Sequence, residues 1–314
     1  MFAIGIDVGG MSVKTGLVDG NGTIISKNRR VTADTAEKLV FNAAEQIKEL
    51  INENSIDEKD LKGIGIGCPG IIDSKKGVVK ASCNLPFVNF PLVKEFKKYF
   101  SVPVKISNDA NVAALGETFF GCASRYNDSV MFTLGTGVGG GIVINKKIYE
   151  GGSSMGAELG HVTLVAGGEF CNCGRKGCIE SYCSATALIK QTKTKMLESK
   201  ESLMWDYAGG DIEKVDGKTA FECSKKGDSA AIEVVNAYVA YLSEAVMSML
   251  NIFRPQAFII GGGISAQGKY LTDKIAEYCE RYNYGYFGTP VPEILSATLG
   301  NDAGIIGAAA LVYA

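Results

Sequence analysis

The amino-acid sequence predicts an α/β protein made of two similar halves, each with a mixed sheet, and a cleft between them. Two glycine-rich hairpin regions carry this reading, "FAIGIDVGGMSVKTGLVDGNGTIISKNRRV" and "SVMFTLGTGVGGGIVINKKIYEG". Each opens a run that goes on through helix, strand and helix, so a β-β-β-α-β-α order is read twice. A stretch from Cys171 to about Ser224 fits neither copy and reads as an insertion in the second. Paired sheets of this kind place ligands in the crevice between them.

In the first half, "DGNG" between two β-type runs signals a hairpin. Thr35–Glu53 reads as a helix, because Leu39, Ala43, Ile47 and Leu50 recur at helical spacing. "GIGIGCPG" reads as a buried strand, Leu92–Tyr99 as a helix, "VPVKISND" as a strand and "ANVAALGETFFG" as a helix. The second half continues with a helix at about Ser229–Asn251, the strand "AFIIGG", a helix near Tyr270–Tyr282, the strand "VPEILSA" and a last helix from Asp302. The expected division is 1–117 plus roughly 302–314 for the smaller domain and 118–301 for the larger.

The chain has 314 residues, 46% hydrophobic and 21% charged, with a net charge of −2. That is globular composition, with no basic surplus for nucleic acid. "MFAIGIDVGG" has no charged region ahead of its apolar run, so it does not read as a signal peptide. No stretch approaches the roughly 18 apolar residues of a membrane span. Nine cysteines, an odd number without a secretion signal, point to a reducing cytoplasmic compartment with thiols free or bound to metal.

Gly135-Thr136-Gly137-Val138-Gly139-Gly140 matches G-x-G-x-x-G in form. A dinucleotide loop runs from strand into helix, whereas the β-branched "GIVIN" that follows here reads as a strand. What remains is a tight hairpin whose backbone N–H groups can face a phosphate. "GISAQGK" resembles a P-loop but is followed by Tyr270, where a magnesium-binding hydroxyl is required. The triple glycine Gly261, Gly262 and Gly263 leaves room for a flat ligand such as adenine, or is a plain strand-to-helix turn. Asp7 ends a buried strand ahead of Gly9 and Gly10, where an unpaired carboxylate is costly. Either an Asx turn or a phosphate-side role explains it, and the parallel turn at Gly135 favours the second.

The single histidine of the chain stands beside three of its cysteines. His161, Cys171, Cys173 and Cys178 form H-x9-C-x-C-x4-C, the donor set of a closed tetrahedral structural zinc site. Such a site holds no catalytic water, but the second ring nitrogen of a zinc-bound histidine remains a donor. With Glu158 and Glu180 adjacent in sequence, the knuckle would present a rigid polar group suited to a polyhydroxylated ligand.

The zinc pattern G-H-x9-C-x-C-G-x2-G-C-x-E, Gly160 to Glu180, resembles that of the ROK family (repressor, open reading frame, kinase), within the actin-like ATPase superfamily. "DVGG", "GCPGIID", "NLP", "NDANVAALGE", "GTGVGGG", "GAELGH" and "IIGGGIS" extend the resemblance over the whole chain, most nearly to bacterial glucokinases. It implies two actin-like, ribonuclease H-like domains with a zinc-stabilised insertion in the second, and ATP-dependent phosphorylation of a hexose. By the same resemblance, Asp109 is the general base, and Gly70, Asn108, Glu158, His161 and Glu180 line the sugar pocket with it. Asp7, Gly9, Gly10, Ser12, Lys14, Gly135, Thr136, Gly137 and Gly139 hold the ATP phosphates with Mg2+, and Gly261, Gly262 and Gly263 the adenosine. A homodimer or homotetramer is also implied. Without the resemblance, Asp109 reads as an ordinary helix N-cap.

The chain departs from the family pattern at Met11, where a threonine is usual, and at "FVNFPL", where glucokinases often carry a Gly-Trp pair. The sequence leaves three functional readings. They are a kinase for glucose or another sugar (fructose, allose, an N-acetylhexosamine or a β-glucoside), a repressor, and a sugar-binding protein without catalysis. The repressor reading is the weakest, because the first phosphate-type loop begins at residue 7 and leaves no room ahead of it for a helix-turn-helix.

Overall fold

The computed structural model describes residues 1–284 and 289–314. By compactness the chain divides into a first unit, Met1–Ser129, Gly141–Ala157 and Thr298–Ala314, and a second, Val130–Gly140 and Glu158–Ala297. This is a division by packing, a different quantity from the division by repeat expected from the sequence.

The first unit opens with β1 (Phe2–Val8), β2 (Ser12–Val18) and β3 (Ile24–Val31). The Asp19 carboxylate accepts from the N–H groups of Asn21 and Thr23 and closes the predicted turn between β2 and β3. Next comes α1 (Ala36–Glu53), whose N-cap Thr35 accepts from the Lys38 N–H. Leu39, Ala43, Ile47 and Leu50 are all buried, as their spacing predicts. The chain continues through β4 (Leu61–Cys68), then the short strands β5 (Ile71–Asp73), β6 (Val78–Ala81) and β7 (Val88–Phe90). These three form a small antiparallel sheet that sequence reading does not anticipate. After α2 (Leu92–Phe96), β8 (Val104–Asn108) runs directly into α3 (Asp109–Phe119). The main sheet has the order β3-β2-β1-β4-β8, antiparallel across the first three strands and parallel across the last three.

The same plan follows again. β9 (Ser129–Leu134), β10 (Val138–Ile144) and β11 (Lys147–Ile148) lead through an inserted region to the later elements. The insertion contains α4 (Glu180–Cys183), α5 (Ala185–Glu198), α6 (Leu203–Tyr207) and α7 (Thr219–Lys225). Then come α8 (Ser229–Phe253), β12 (Ala257–Gly261), α9 (Lys269–Tyr282), β13 (Glu293–Ser296) and α10 (Ala303–Ala310). The sheet order β11-β10-β9-β12-β13 repeats that of the first sheet, and β12 pairs parallel with β13. α8 has 25 residues and a window hydropathy of 1.2, so by length and composition it could cross a membrane, which sequence inspection does not foresee. In the structure 61% of that window is buried inside the protein, where α5, α7 and α9 pack on the helix.

The first sheet is covered on both faces. Ile4, Ile6 and Val8 point to α1, and Ala3, on the alternate face, packs with Ile305 and Ala309 of α10. α10 lies unusually close to the sheet because glycines stand beneath it. A Cβ on Gly5 would sit 1.9 Å from the Ile305 carbonyl oxygen, and one on Gly65 1.7 Å from that of Ala308. Both obstacles are backbone and cannot rotate away. Gly65→Ala is therefore expected to destabilise the fold by about 1–3 kcal/mol or more, read as a lower midpoint in denaturant with an unchanged slope.

Candidate functional site

In the first unit, β8 delivers Asn108 and Asp109 to the start of α3. Asn108, not Asp109, is the N-cap, and its side-chain oxygen accepts from the Ala110 N–H at 2.9 Å. The same side chain donates to the Gly70 carbonyl oxygen at 3.2 Å, which ties the "PG" turn to the helix. With the capping role filled, the Asp109 carboxylate at the first helical position accepts from the Ala110 N–H at 3.0 Å and is also hydrogen-bonded by the Asn108 side chain; the residue reaches the surface while its carboxyl is enclosed by surrounding protein. The helix start does not hold this group at an ordinary acidity. Burial by the surrounding protein raises its pKa, the charge of Asp7 adds to that, and the Ala110 and Asn108 hydrogen bonds oppose it only in part. The buried Cys68 thiol, next to the "PG" turn, is pushed up by burial and by Asp109.

Asp7 lies opposite Lys14 in the β1–β2 register, and the Lys14 ammonium donates to its carboxylate at 3.1 Å. A Cβ on Gly304 would come within 2.5 Å of the Asp7 carboxyl carbon, so that glycine keeps the start of α10 clear of it. The loop from Gly9 to Ser12 is closed by the Gly9 N–H donating to Ser12 O and by the Thr32 hydroxyl donating to Gly9 O. Met11 projects from this loop 83% exposed, with no packing role.

In the second unit the turn Gly135–Gly137 is closed by the Gly135 N–H on Gly137 O and held by the Ala185 N–H on Gly135 O. The Thr136 carbonyl accepts from the Thr186 hydroxyl. Glu180 accepts from the Val138 N–H at 3.1 Å, so one carboxylate serves both the glycine turn and the knuckle. A Cβ on Gly137 would strike that carboxylate at 2.3 Å. Gly261 and Gly262 have packing reasons to be glycine, against the Met131 side chain and the Leu134 backbone, while Gly263 is open.

The knuckle is also in the second unit. Glu158 is exposed and precedes a single 3₁₀ turn, Leu159–His161, anchored because Gly160 lies flat against the Val138 carbonyl. Gly177 has φ +82° and stands 1.7 Å, by its missing Cβ, from Val165 O, a position open only to glycine. The result brings the donor atoms of His161, Cys171, Cys173 and Cys178 within 4.8 Å of one another. Cys173 Sγ and Cys178 Sγ are 3.6 Å apart, and Cys171 Sγ and His161 Nδ1 are 3.7 Å apart. A tetrahedral zinc with Zn–S near 2.3 Å separates its donors by about 3.8 Å, so the set fits that ion. Sequence reading misses Arg175, whose guanidinium donates to His161 O at 3.3 Å and to Thr163 Oγ1 at 2.7 Å and so fixes the histidine backbone. It also misses Glu117, which is fully buried on α3. Glu117 accepts from the Thr298, Leu299 and Cys122 N–H groups and from the Thr298 hydroxyl. A lone carboxylate in the apolar run of "ANVAALGETFF" is the signal that would have found it.

The strand order repeated in the two sheets and the Cys₃His donor set define an α/β protein with a group of side chains that could hold a metal ion. The family model described as "ROK family" matches residues 3–314, and the chain belongs to that family. A glucokinase from Thermotoga maritima is 38% identical over 98% of this chain and 96% of its own length. A ROK family glucokinase from Streptomyces griseus, solved in complex with glucose and AMPPNP, is 32% identical, covers 99% of both chains and superposes with a TM-score of 0.79. A xylose repressor from Bacillus spizizenii is 30% identical over 99% of this chain and 77% of its own length.

Two outcomes follow from this geometry. Cys171→Ser should reduce bound zinc well below one per chain by elemental analysis and lower the melting temperature, since metal affinity here is folding energy. For Asp109, a folded pKa above the ordinary value means the charged form costs stability. That contribution favours folding at acidic pH and is lost as pH rises through the folded pKa. Asp109→Asn should therefore melt at the same or a higher temperature than the parent at neutral pH, and a lower one would contradict this balance.

Proposed function

We propose that this chain is an ATP-dependent hexose kinase, with glucose converted to glucose 6-phosphate as its preferred reaction. The observation that carries the reading is the division of labour at the β8–α3 junction, where Asn108 caps the helix and the Asp109 carboxylate is not the capping group. The Thermotoga maritima and Streptomyces griseus glucokinases support the choice of reaction.

In this reading the first unit contributes Asn108 and Gly70 to sugar recognition, and the second contributes Glu158, His161 and Glu180. Asp109 accepts the proton of the attacking hydroxyl, whose oxygen forms a bond to the γ-phosphorus as the bond to the bridging oxygen breaks and ADP leaves. Asp7, Gly9, Gly10, Ser12 and Lys14 of the first unit, and Gly135, Thr136, Gly137 and Gly139 of the second, are the groups assigned to the phosphates, with Gly261, Gly262 and Gly263 assigned to the adenosine. Asp7, at the end of β1, would face magnesium carried with ATP, which would supply charge neutralisation. His161, Cys171, Cys173 and Cys178 would hold zinc, which would supply rigidity and leave the far ring nitrogen of His161 to donate. Nine cysteines without a disulfide among them suit a reducing compartment such as the cytoplasm.

A second reading, sugar binding without turnover, is favoured by one feature, the exposed thioether of Met11 in the phosphate loop. A coupled ADP-release assay with MgATP separates the two. It would run against glucose, fructose, mannose, allose, N-acetylglucosamine, N-acetylmannosamine and a β-glucoside. One sugar with kcat/KM far above the others is the expected result, and silence on all of them in folded, zinc-replete protein selects the second reading. Asp109→Asn should lower kcat by about 10²–10⁴ with sugar affinity little changed. Because the base must be ionised, kcat/KM of the parent should fall on the acid side with an apparent pKa above the ordinary carboxylate value, and a limb at that value would count against Asp109.

A further inference from the structure

An open cavity of about 610 Å³ lies wholly within the first unit, along the outer edge of β8. Five lysines line it, Lys75, Lys76, Lys97, Lys105 and Lys147, with one acidic side chain, Glu150, and the last residue, Ala314. The Glu150 carboxylate is already engaged, since the hydroxyls of Ser74 and Ser107 both donate to it. Lys76 pairs with Asp73 at 3.6 Å and Lys105 donates to Ala314 O at 3.1 Å, whereas Lys75, Lys97 and Lys147 have no carboxylate partner among the described residues. In a chain of net charge −2 such a concentration of one sign is not a by-product of composition. It also repels itself: burial and the charges of Lys62 and Lys147 all push the Lys105 ammonium toward losing its proton. Between the lysines the walls are apolar, formed by Val93, Val104, Ile106, Leu115 and Leu311.

We propose that this cavity is a binding site for a phosphorylated small molecule, its phosphate groups held by the lysines and its carbon skeleton lying on the apolar wall. Lysine acts on phosphate as a mobile point charge, and a cluster of them suits an anion of several charges better than a single carboxylate. The apolar wall separates a phosphate ester from a bare inorganic ion, which would gain nothing from it. The volume falls in the range of small-molecule sites. The floor is the Ser107–Glu150–Ser74 network, and Ser107 immediately precedes Asn108 and Asp109, so a ligand here rests on the strand that carries the proposed base.

The test is calorimetric titration of the full chain with fructose 1,6-bisphosphate, in the presence of glucose and AMPPNP so that the proposed reaction site is filled. Binding is measured without turnover, so the result is independent of whether the chain is a kinase. The expected result is saturable binding of the bisphosphate, weaker binding of inorganic phosphate, and none of fructose. Lys105→Ala with Lys147→Ala should weaken bisphosphate binding by about tenfold or more. If that pair disturbs β8 or β11, Lys75→Glu on the exposed turn should weaken it as well, with an unchanged melting temperature. Absence of bisphosphate binding, affinity unchanged in both variants, or inorganic phosphate binding as tightly as the ester would each overturn the proposal.

Discussion

The first unit depends on backbone packed against backbone. α10 rests on β1 and β4 at distances that exclude a Cβ at Gly5 or Gly65, and α3 meets α10 through Gly307, whose missing Cβ would lie 1.8 Å from Val112 O. Helices carried on larger side chains stand about 8–10 Å apart; here glycine removes that spacer. Two consequences reach the candidate site. The start of α10 is brought to Asp7, with Gly304 giving the carboxylate room, and α3 is locked in place with Asp109 at its first turn. The buried Glu117 completes the lock at the other end of α3 by accepting the backbone N–H groups of Thr298 and Leu299, where the chain re-enters this unit.

The second unit solves the same problem, holding polar side chains still, by different means. The loop from residue 162 to 178 is folded back on itself, the Leu164 and Val165 N–H groups donating to Gly177 O and that of Ile179 to Val162 O, but it contains no helix or strand of its own. It brings the donor atoms of His161, Cys171, Cys173 and Cys178 within reach of one ion, and Arg175 ties the loop back to His161 and Thr163. Glu180, one residue beyond Ile179, then couples this loop to the glycine turn through the Val138 N–H. Disturbing the knuckle therefore reaches the turn at Gly135–Gly137 through one carboxylate.

Much of this was legible because the informative segments are long or chemically distinctive. The helix Ala36–Glu53, the two hairpins and the Cys₃His spacing each carry many residues that agree. The strands Ile71–Asp73 and Val88–Phe90 are three residues long, too short to show a period, and their sheet was missed. α5 was missed because its buried face mixes Ala187, Leu188 and Met196 with Thr192, which blurs the apolar stripe. The Asn108–Asp109 assignment shows a finer limit. Either residue type caps a helix, and only the backbone decides which stands outside it; Asn108 is extended, at φ −64° and ψ 150°, so the cap falls there.

That one-residue difference bears directly on chemistry. A capping aspartate spends its carboxylate on the N–H groups of the next turn, which favours the ionised form and weakens it as a base. With Asn108 in that place, Asp109 keeps only local hydrogen bonds, from Ala110 and Asn108, while burial and the neighbouring charge of Asp7 raise its affinity for a proton. A general base works best when its pKa approaches the operating pH, so the same environment that makes the ionised carboxylate costly to the fold makes it a better proton acceptor. Lys14, 3.1 Å from Asp7, moderates the cost by pairing with the nearer of the two negative charges rather than with Asp109 itself. Among the described residues no cation pairs with Asp109, so no ion pair offsets what burial and Asp7 add to its proton affinity.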